Sequence, residues 1–279
     1  MAIPNALSIA GIDPSGGAGI YADLKAFSAL RAYGMGVVAA LTAQNTRTVS
    51  GVHGVPPEFV RQQLDTLFDD VRVDSAKIGM LGTSAIARAV SDGLHGRVPS
   101  HLVVDPVMVA KSGDALLSPE ATATLIELVL PLATVITPNL PEAGVLLRAR
   151  APDSLSEMRR AAEHLRRLLP DDGRRWVLLK GGHLAGSALA DATDLLHDGD
   201  RMIELSAPRI DTRNTHGTGC TLSAAIAALL PQRADVEAAV REAKAYLTES
   251  IRRSGELSVG TGHGPVHHFH RFWNTPQAR

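Results

Sequence analysis

Short runs of apolar residues, rich in β-branched side chains, recur along the chain. Longer stretches between them place apolar positions every three to four residues. The short runs at residues 6–10, 36–41, 75–78, 102–104, 134–136, 176–179 and 202–205 read as strands. The longer ones predict helices over 57–68, 84–94, 119–129, 156–168, 221–230 and 236–253. Another helix opens after Gly16, Gly17 and Gly19, where Ile20, Leu24, Phe27 and Leu30 keep helical period. This alternation is the signature of βαβ units around a mostly parallel sheet. Residues 148–156, with Pro152 and little apolar content, read as a surface loop too short to separate two domains, so one α/β domain over 1–279 is expected.

Polar residues gather just past the ends of the predicted strands: Gln44 and Asn45, Lys77 beside Gly79, Asp105, Thr137 with Asn139, and Lys180. In an open parallel sheet, ligands bind at the carboxyl ends of the strands. The pattern therefore predicts one site assembled from many loops.

A chain of 279 residues can bury a large core, roughly 75% of the surface its unfolded form exposes. Lys+Arg 28 against Asp+Glu 29 leaves a net charge of -1, so no overall positive field is available to hold a nucleic-acid backbone. No apolar stretch is long and unbroken enough for a membrane span. A lone cysteine, Cys220, forms no internal disulfide, and the first residues lack the basic and apolar segments of a secretory signal, which points to the cytoplasm. The expected partner is a small, locally charged ligand.

Gly17, Gly19 and Ala22 fit the G-x-G-x-x-A turn of dinucleotide binding, but no Asp or Glu lies between Asp23 and Glu58 to hold a ribose hydroxyl. The P-loop reading lacks its Gly-Lys pair altogether. A different device stands in THGTGCTLSAAIAALL, where the backbone amides of Thr218, Gly219 and Cys220 fall near a helix start. Free N-terminal amides and the helix dipole make an anion site, which would also lower the thiol pKa. The alternative is a structural cysteine in a helix cap. In VITPNLPEA, Asn139 and Glu142 stand one turn apart, able to order the waters of Mg²⁺ or simply to start a helix. Asp105 ends a buried-type strand and needs a partner there, and a metal ion or its water shell would serve. Lys180 in LLKGGH can balance phosphate charge or be solvated. Gln44 presents a carbonyl beside an NH₂, suited to the edge of an aminopyrimidine or to bare solvent. The tail GPVHHFHRFW holds His267, His268 and His270, yet it lacks zinc co-ligands at recognised spacings, and Phe269, Phe272 and Trp273 suggest a docked tail.

Taken together, AGIDPSGGAGIYADLKAFSALRAYG, LTAQNT, KIGMLG, DPVMVAKSG, TPNLPEA, LLKGGH, NTHGTGCTLSAAIA and GPVHHFH resemble the hydroxymethylpyrimidine/phosphomethylpyrimidine kinases of thiamine biosynthesis. The resemblance implies a ribokinase-like three-layer α/β/α fold with a central mostly parallel sheet, in a homodimer. It implies Mg²⁺ with ATP as phosphoryl donor, and transfer first to the hydroxymethyl group of 4-amino-5-hydroxymethyl-2-methylpyrimidine, then to its monophosphate. By motif position, Gln44 would bind the pyrimidine, with Gly11, Asp23, Met80 and Val107 around the ring. Asn139 and Glu142 would order Mg²⁺, with Asp105 near the phosphates. Lys180, Thr137 and the turn His216, Gly217, Thr218, Gly219, Cys220 would hold phosphate, and Cys220 stands where sugar kinases of the superfamily carry a base Asp. A pyridoxine or pyridoxal kinase of the same fold, and a catalytically silent pyrimidine-binding module, are the alternatives.

Overall fold

The computed structural model describes residues 2–108, 117–182, 184 and 191–273. Parallel strands β1 (Asn5–Ile12), β2 (Tyr33–Gln44), β4 (Ser75–Ile78), β5 (His101–Val104), β6 (Val135–Ile136) and β7 (Trp176–Leu179) form the centre of a sheet. Antiparallel β3 (Val49–Gly54) closes one edge, and β8 (Asp191–His197) with β9 (Met202–Pro208) closes the other. The order is β3-β2-β1-β4-β5-β6-β7-β8-β9.

Alternate residues of the central strands feed two cores, which is why the sequence shows continuous apolar runs there. Leu7, Ile9, Ile78, Val104, Ile136 and Leu179 face one way. They meet α2 (Pro57–Asp70), α3 (Ser84–Leu94), α5 (Leu140–Leu146) and α6 (Leu155–Arg166) through residues such as Leu64, Val90, Ala143 and Met158. Ala6, Val103, Val135 and Leu178 face the other way, against Phe27 of α1 (Gly19–Ala29), Ile226 of α7 (Thr218–Leu229) and Tyr246 of α8 (Val236–Arg252). The expected three-layer α/β/α arrangement is present.

The sequence pattern missed β3, β8 and α5. Five of the six β3 residues are exposed and two are glycine, so the strand carries no apolar signal. The helix expected over 119–129 is α4 (Pro119–Thr124) followed by a π-helical turn, Leu125–Val129, and a 3₁₀ turn, Leu130–Leu132, which contains Pro131. The loop expected over 148–156 joins α5 to α6 but ends at Ser154, the cap of α6, and Arg150 pins it to Asp153 and Glu157. No helix among the described residues is long and apolar enough to cross a membrane.

Candidate active site

The carboxyl ends of the parallel strands open into a cleft of about 660 Å³, within the range of small-molecule sites. Gly11, Gln44, Met80 and Val107 line one end, and Asp105, Asn139, Glu142, Lys180 and residues 215–220 line the middle. Leu222, Leu247, Ile251, Ala207 and Ile210 give the far end an apolar wall.

The middle is organised by charge. Asp105, just past β5, accepts from Thr137 Oγ1 at 2.9 Å and from Lys180 Nζ at 2.9 Å, both on Oδ1, while Ser223 Oγ reaches Oδ2 at 3.3 Å. Burial by itself would raise the Asp105 pKa, but the charges of Lys180 and Lys77 and these bonds outweigh it and hold the carboxyl below its ordinary value. For Lys180 the balance runs the same way: burial opposes its charge, Asp105 and Glu142 restore it, and its pKa is raised. Glu142 differs, because burial dominates over the help of Lys180, and the nearby Asp105 charge adds to the burial. Its pKa is pushed up to about 7.

Asn139 and Glu142 form a reciprocal capping box on α5: Glu142 N donates to Asn139 Oδ1 at 2.9 Å and Asn139 N donates to Glu142 Oε2 at 2.7 Å. The N-x-x-E spacing is therefore first a helix start, as the plainer sequence reading had it. The same box fixes the Glu142 carboxyl at the edge of the cleft.

The phosphate-type turn precedes α7. Gly217 caps this helix in the left-handed region, φ 76°, and a Cβ there would sit 1.7 Å from Gly17 O. Only glycine fits, since the strain and the clash coincide. The turn thereby leaves the amides of Thr218, Gly219 and Cys220 in the first turn of a helix. Gly219 lies close under Lys180, its missing Cβ 3.4 Å from Nζ. Thr218 N donates to Thr215 O at 3.5 Å, while the amides of Gly219 and Cys220, the helix dipole and the ammonium converge on one place, an arrangement suited to a phosphoryl group.

Gln44 closes β2 with its amide in the cleft, 3.2 Å from the Thr42 hydroxyl and 3.4 Å from His216 Nε2. Asp13 was not singled out from the sequence, because Asp-Pro-Ser-Gly reads as turn chemistry. In the fold its carboxylate accepts from Ser15 N and Ala18 N, each at 2.9 Å, and meets His216 Nε2 at 2.6 Å.

A model of the phosphomethylpyrimidine kinase family matches residues 13–267. The chain belongs to this family. The hydroxymethylpyrimidine/phosphomethylpyrimidine kinase of Rhizobium meliloti is 55% identical over 269 residues, covering 96% of this chain and 98% of the relative. The enzyme of that name from Escherichia coli is 52% identical over the same shares. Among solved structures, the ADP complex of Bacillus subtilis pyridoxal kinase superposes with a TM-score of 0.87 at 36% identity, covering 98% of this chain and all of that one. The phosphomethylpyrimidine kinase of Clostridium difficile does so at 0.77 and 40% identity, over 90% of this chain and 100% of that one. The fold is the ribokinase-like α/β fold, and the chain is a phosphotransferase.

Three expectations are corrected, two of them carried from the phosphomethylpyrimidine kinase pattern and the third from the helix dipole. Asp23 is wholly buried on α1, bonded to Lys77 and Ser8, and does not line the cleft; its charge is spent on a buried lysine rather than on a ring. Thr137 is likewise fully buried and holds Asp105 instead of facing a ligand. The Cys220 thiol is pushed up from 9.0, not down: burial outweighs the positive charge of Lys77 and the N–H of Gly19, and the charges of Asp23 and Asp105 add to it.

The tail is docked through its histidines. His267, His268 and His270 are buried, His268 Nε2 meets Thr221 Oγ1 at 3.0 Å, and Tyr246 Oη donates to His268 O at 2.8 Å. Phe272 and Trp273 remain more than half exposed. Residues 109–113 of DPVMVAKSG and His183 of LLKGGH lie outside the described residues.

Proposed function

We infer that this chain is the kinase that phosphorylates 4-amino-5-hydroxymethyl-2-methylpyrimidine and then its monophosphate, using ATP. The observation that carries the reading is that one cleft is lined by two unlike devices, the amide of Gln44 and the turn Gly217 to Cys220 beside Lys180. The geometry suits a small aromatic alcohol held beside a phosphoryl donor.

The chain's own residues divide the work. Gln44 holds the ring edge, with Gly11, Met80 and Val107 around it. The amides of Thr218, Gly219 and Cys220 and the ammonium of Lys180 take the charge that spreads over the phosphoryl oxygens in a loose transition state. Cys220 accepts the hydroxyl proton in the first transfer; in the second, the nucleophile is already a phosphate oxygen. The donor set fits Mg²⁺ with a nucleotide, since that ion takes one or two carboxylates and keeps several waters, and the Glu142 carboxyl, raised to about 7 by burial despite Lys180, would be favoured in its charged form by a further cation. Asp105 and Glu142 would hold the ion, which supplies charge neutralisation on the phosphates.

A second reading, pyridoxal kinase, is favoured by the likeness to the Bacillus subtilis structure. Comparing ADP release with the pyrimidine alcohol, its monophosphate and pyridoxal separates the readings. Turnover on the alcohol and on its monophosphate is expected. Turnover on pyridoxal alone overturns the proposal, and no ADP release on any of the three leaves only a binding module.

A further inference from the structure

Strand β4 carries one charged residue, Lys77, in the interior of the sheet. All four residues of β4 are buried, and β1 and β5 flank it on either side. A buried ammonium is costly without a partner. Lys77 Nζ donates to Asp23 Oδ2 at 2.8 Å, with both side chains 0% exposed, and Ser8 Oγ donates to the same oxygen at 2.6 Å. The pairing is incomplete on both sides. Asp23 Oδ1 has no hydrogen-bond partner, and among the described residues Asp23 is the one hydrogen-bond acceptor of an ammonium that carries three donors.

The two ends of the pair stand differently to the cleft. Lys77 contributes to its floor together with Cys220, and Asp23 lies behind, out of reach of a ligand. Gly79 makes room for the ammonium, since a Cβ at that position would lie 2.7 Å from Nζ. The result is a fixed positive charge with unused donors, held from behind, lining the same cleft as the thiol and acting electrostatically on it.

We propose that Lys77 is the counter-ion of the Cys220 sulfur, and that Asp23 holds Lys77 in place while tempering its charge. The charged groups that act on the sulfur are Lys77 from β4, Asp23 from α1, Asp105 after β5 and Lys180 after β7, with the N–H of Gly19 adding to Lys77. Lys77 and Gly19 favour the thiolate; Asp23 and Asp105 disfavour it. In the first transfer the hydroxymethyl O–H bond breaks and an S–H bond forms on Cys220. The freed oxygen pair attacks the γ-phosphorus, and the bond from that phosphorus to the ADP oxygen breaks. Lys77 acts through Cys220 by stabilising the sulfur's charge before the proton arrives. The inference rests on the reading of Cys220 as proton acceptor.

Cys220 is the only cysteine of the chain, so the pH dependence of iodoacetamide alkylation, measured without substrate or nucleotide, reports this thiol alone. Lys77→Met is expected to slow alkylation at pH 8 by about tenfold, one pKa unit upward. Asp23→Asn, which leaves Lys77 charged and loses the opposing carboxylate, is expected to accelerate it by a similar factor. Opposite signs from two members of one ion pair are not what loss of packing gives. An unchanged profile in a folded Lys77→Met protein, or shifts of the same sign in both variants, overturns the proposal. Lys77→Gln, which keeps a donor to Asp23, stands in with the same expected slowing if Lys77→Met does not fold. If no single variant folds, the Lys77→Met/Asp23→Leu double variant removes both opposing charges and should alkylate within about threefold of wild type, where a tenfold change overturns the proposal. Alkylation shifts as expected, combined with equal loss of both transfers in Cys220→Ala, would refute the base reading while leaving the counter-ion in place.

Discussion

His216 Nε2 and Asp13 Oδ2 lie 2.6 Å apart, joining two glycine turns separated by 203 positions in the chain. One turn follows β1 and lines the cleft with Gln44, and the other precedes α7 and carries the amides proposed to hold the phosphoryl group. The carboxylate is also the hub of its own loop through Ser15 N and Ala18 N. Acceptor and phosphoryl sites are thereby held at a fixed separation by one buried contact, which matters because misplacement by about 1 Å can cost on the order of a hundredfold in rate.

Asp13→Ala should therefore damage catalysis beyond its effect on folding. Removing a buried acceptor of several hydrogen bonds costs on the order of 2 kcal/mol of stability, readable by urea denaturation. The kcat for the pyrimidine alcohol should fall by at least about tenfold at temperatures where the variant stays folded. The pH sign is defined. Burial raises the Asp13 pKa, but bonds to His216 and Ser15 outweigh it and leave it lowered from 3.8. Its stabilisation is therefore complete above 3.8 and lost as pH falls through the depressed value. The stability gap between wild type and variant should be widest above pH 3.8 and narrow as pH falls below it through the depressed value, and a gap independent of pH would show that Asp13 acts by packing alone.

Gly217→Ala should remove both phosphoryl transfers together. The backbone at φ 76° and the 1.7 Å approach to Gly17 O leave no place for a methyl group. The turn must open, which displaces the amides used in every transfer. Rates on the alcohol and on the monophosphate should drop by about the same factor, on the order of a hundredfold. Unequal losses would mean that the turn serves only one of the two acceptors.

The strand-end residues were legible from the sequence because strand, polar residue and helix follow one another in a fixed order, and Gln44, Asp105, Asn139, Glu142 and Lys180 all line the cleft. What lies beneath them was not legible. Asp23 and Thr137 sit in motifs that point at the site, yet each makes its hydrogen bonds in the interior, Asp23 with Lys77 and Ser8, Thr137 with Asp105. No local pattern separates a residue that touches a ligand from one that holds the residue that does. The thiol pKa failed for a related reason: the helix dipole is readable from the sequence, but burial and two aspartates from distant segments oppose it and win. Strand β3 escaped because an edge strand facing solvent needs no apolar alternation.

Glu142→Gln should stabilise the chain at alkaline pH while lowering activity. The Glu142 carboxyl is raised from 4.5 to about 7, so the folded state favours its proton. The cost of ionising it is absent below 4.5 and complete above about 7. A Gln keeps an oxygen for Asn139 N and removes that cost, on the order of 3 kcal/mol. At pH 8 the variant should therefore melt above wild type, with the two converging near pH 4. ATP turnover of wild type should rise through pH 7 as the carboxylate forms, and the variant should lack that rise. A variant that melts below wild type at pH 8 would mean that Glu142 is already ionised and paired in the folded chain.

Cys220→Ala should split the two transfers that Gly217→Ala leaves together. A side chain that removes a proton from an alcohol contributes about 10²–10⁴ in rate, and the alcohol step should fall by at least the lower of these. The monophosphate presents an oxygen that is already ionised, and the alanine keeps the backbone N–H at 220, so the second step should stay within about threefold. The raised thiol pKa adds a second mark. With the thiol pushed up from 9.0 by burial, the thiolate fraction still grows across pH 7 to 9, so the alcohol step in wild type should climb through that interval. The alanine variant should be flat there, and so should the monophosphate step in both proteins. Equal loss in the two steps, followed by ADP release, would assign Cys220 to the anion turn through its amide alone and take the proton away from sulfur.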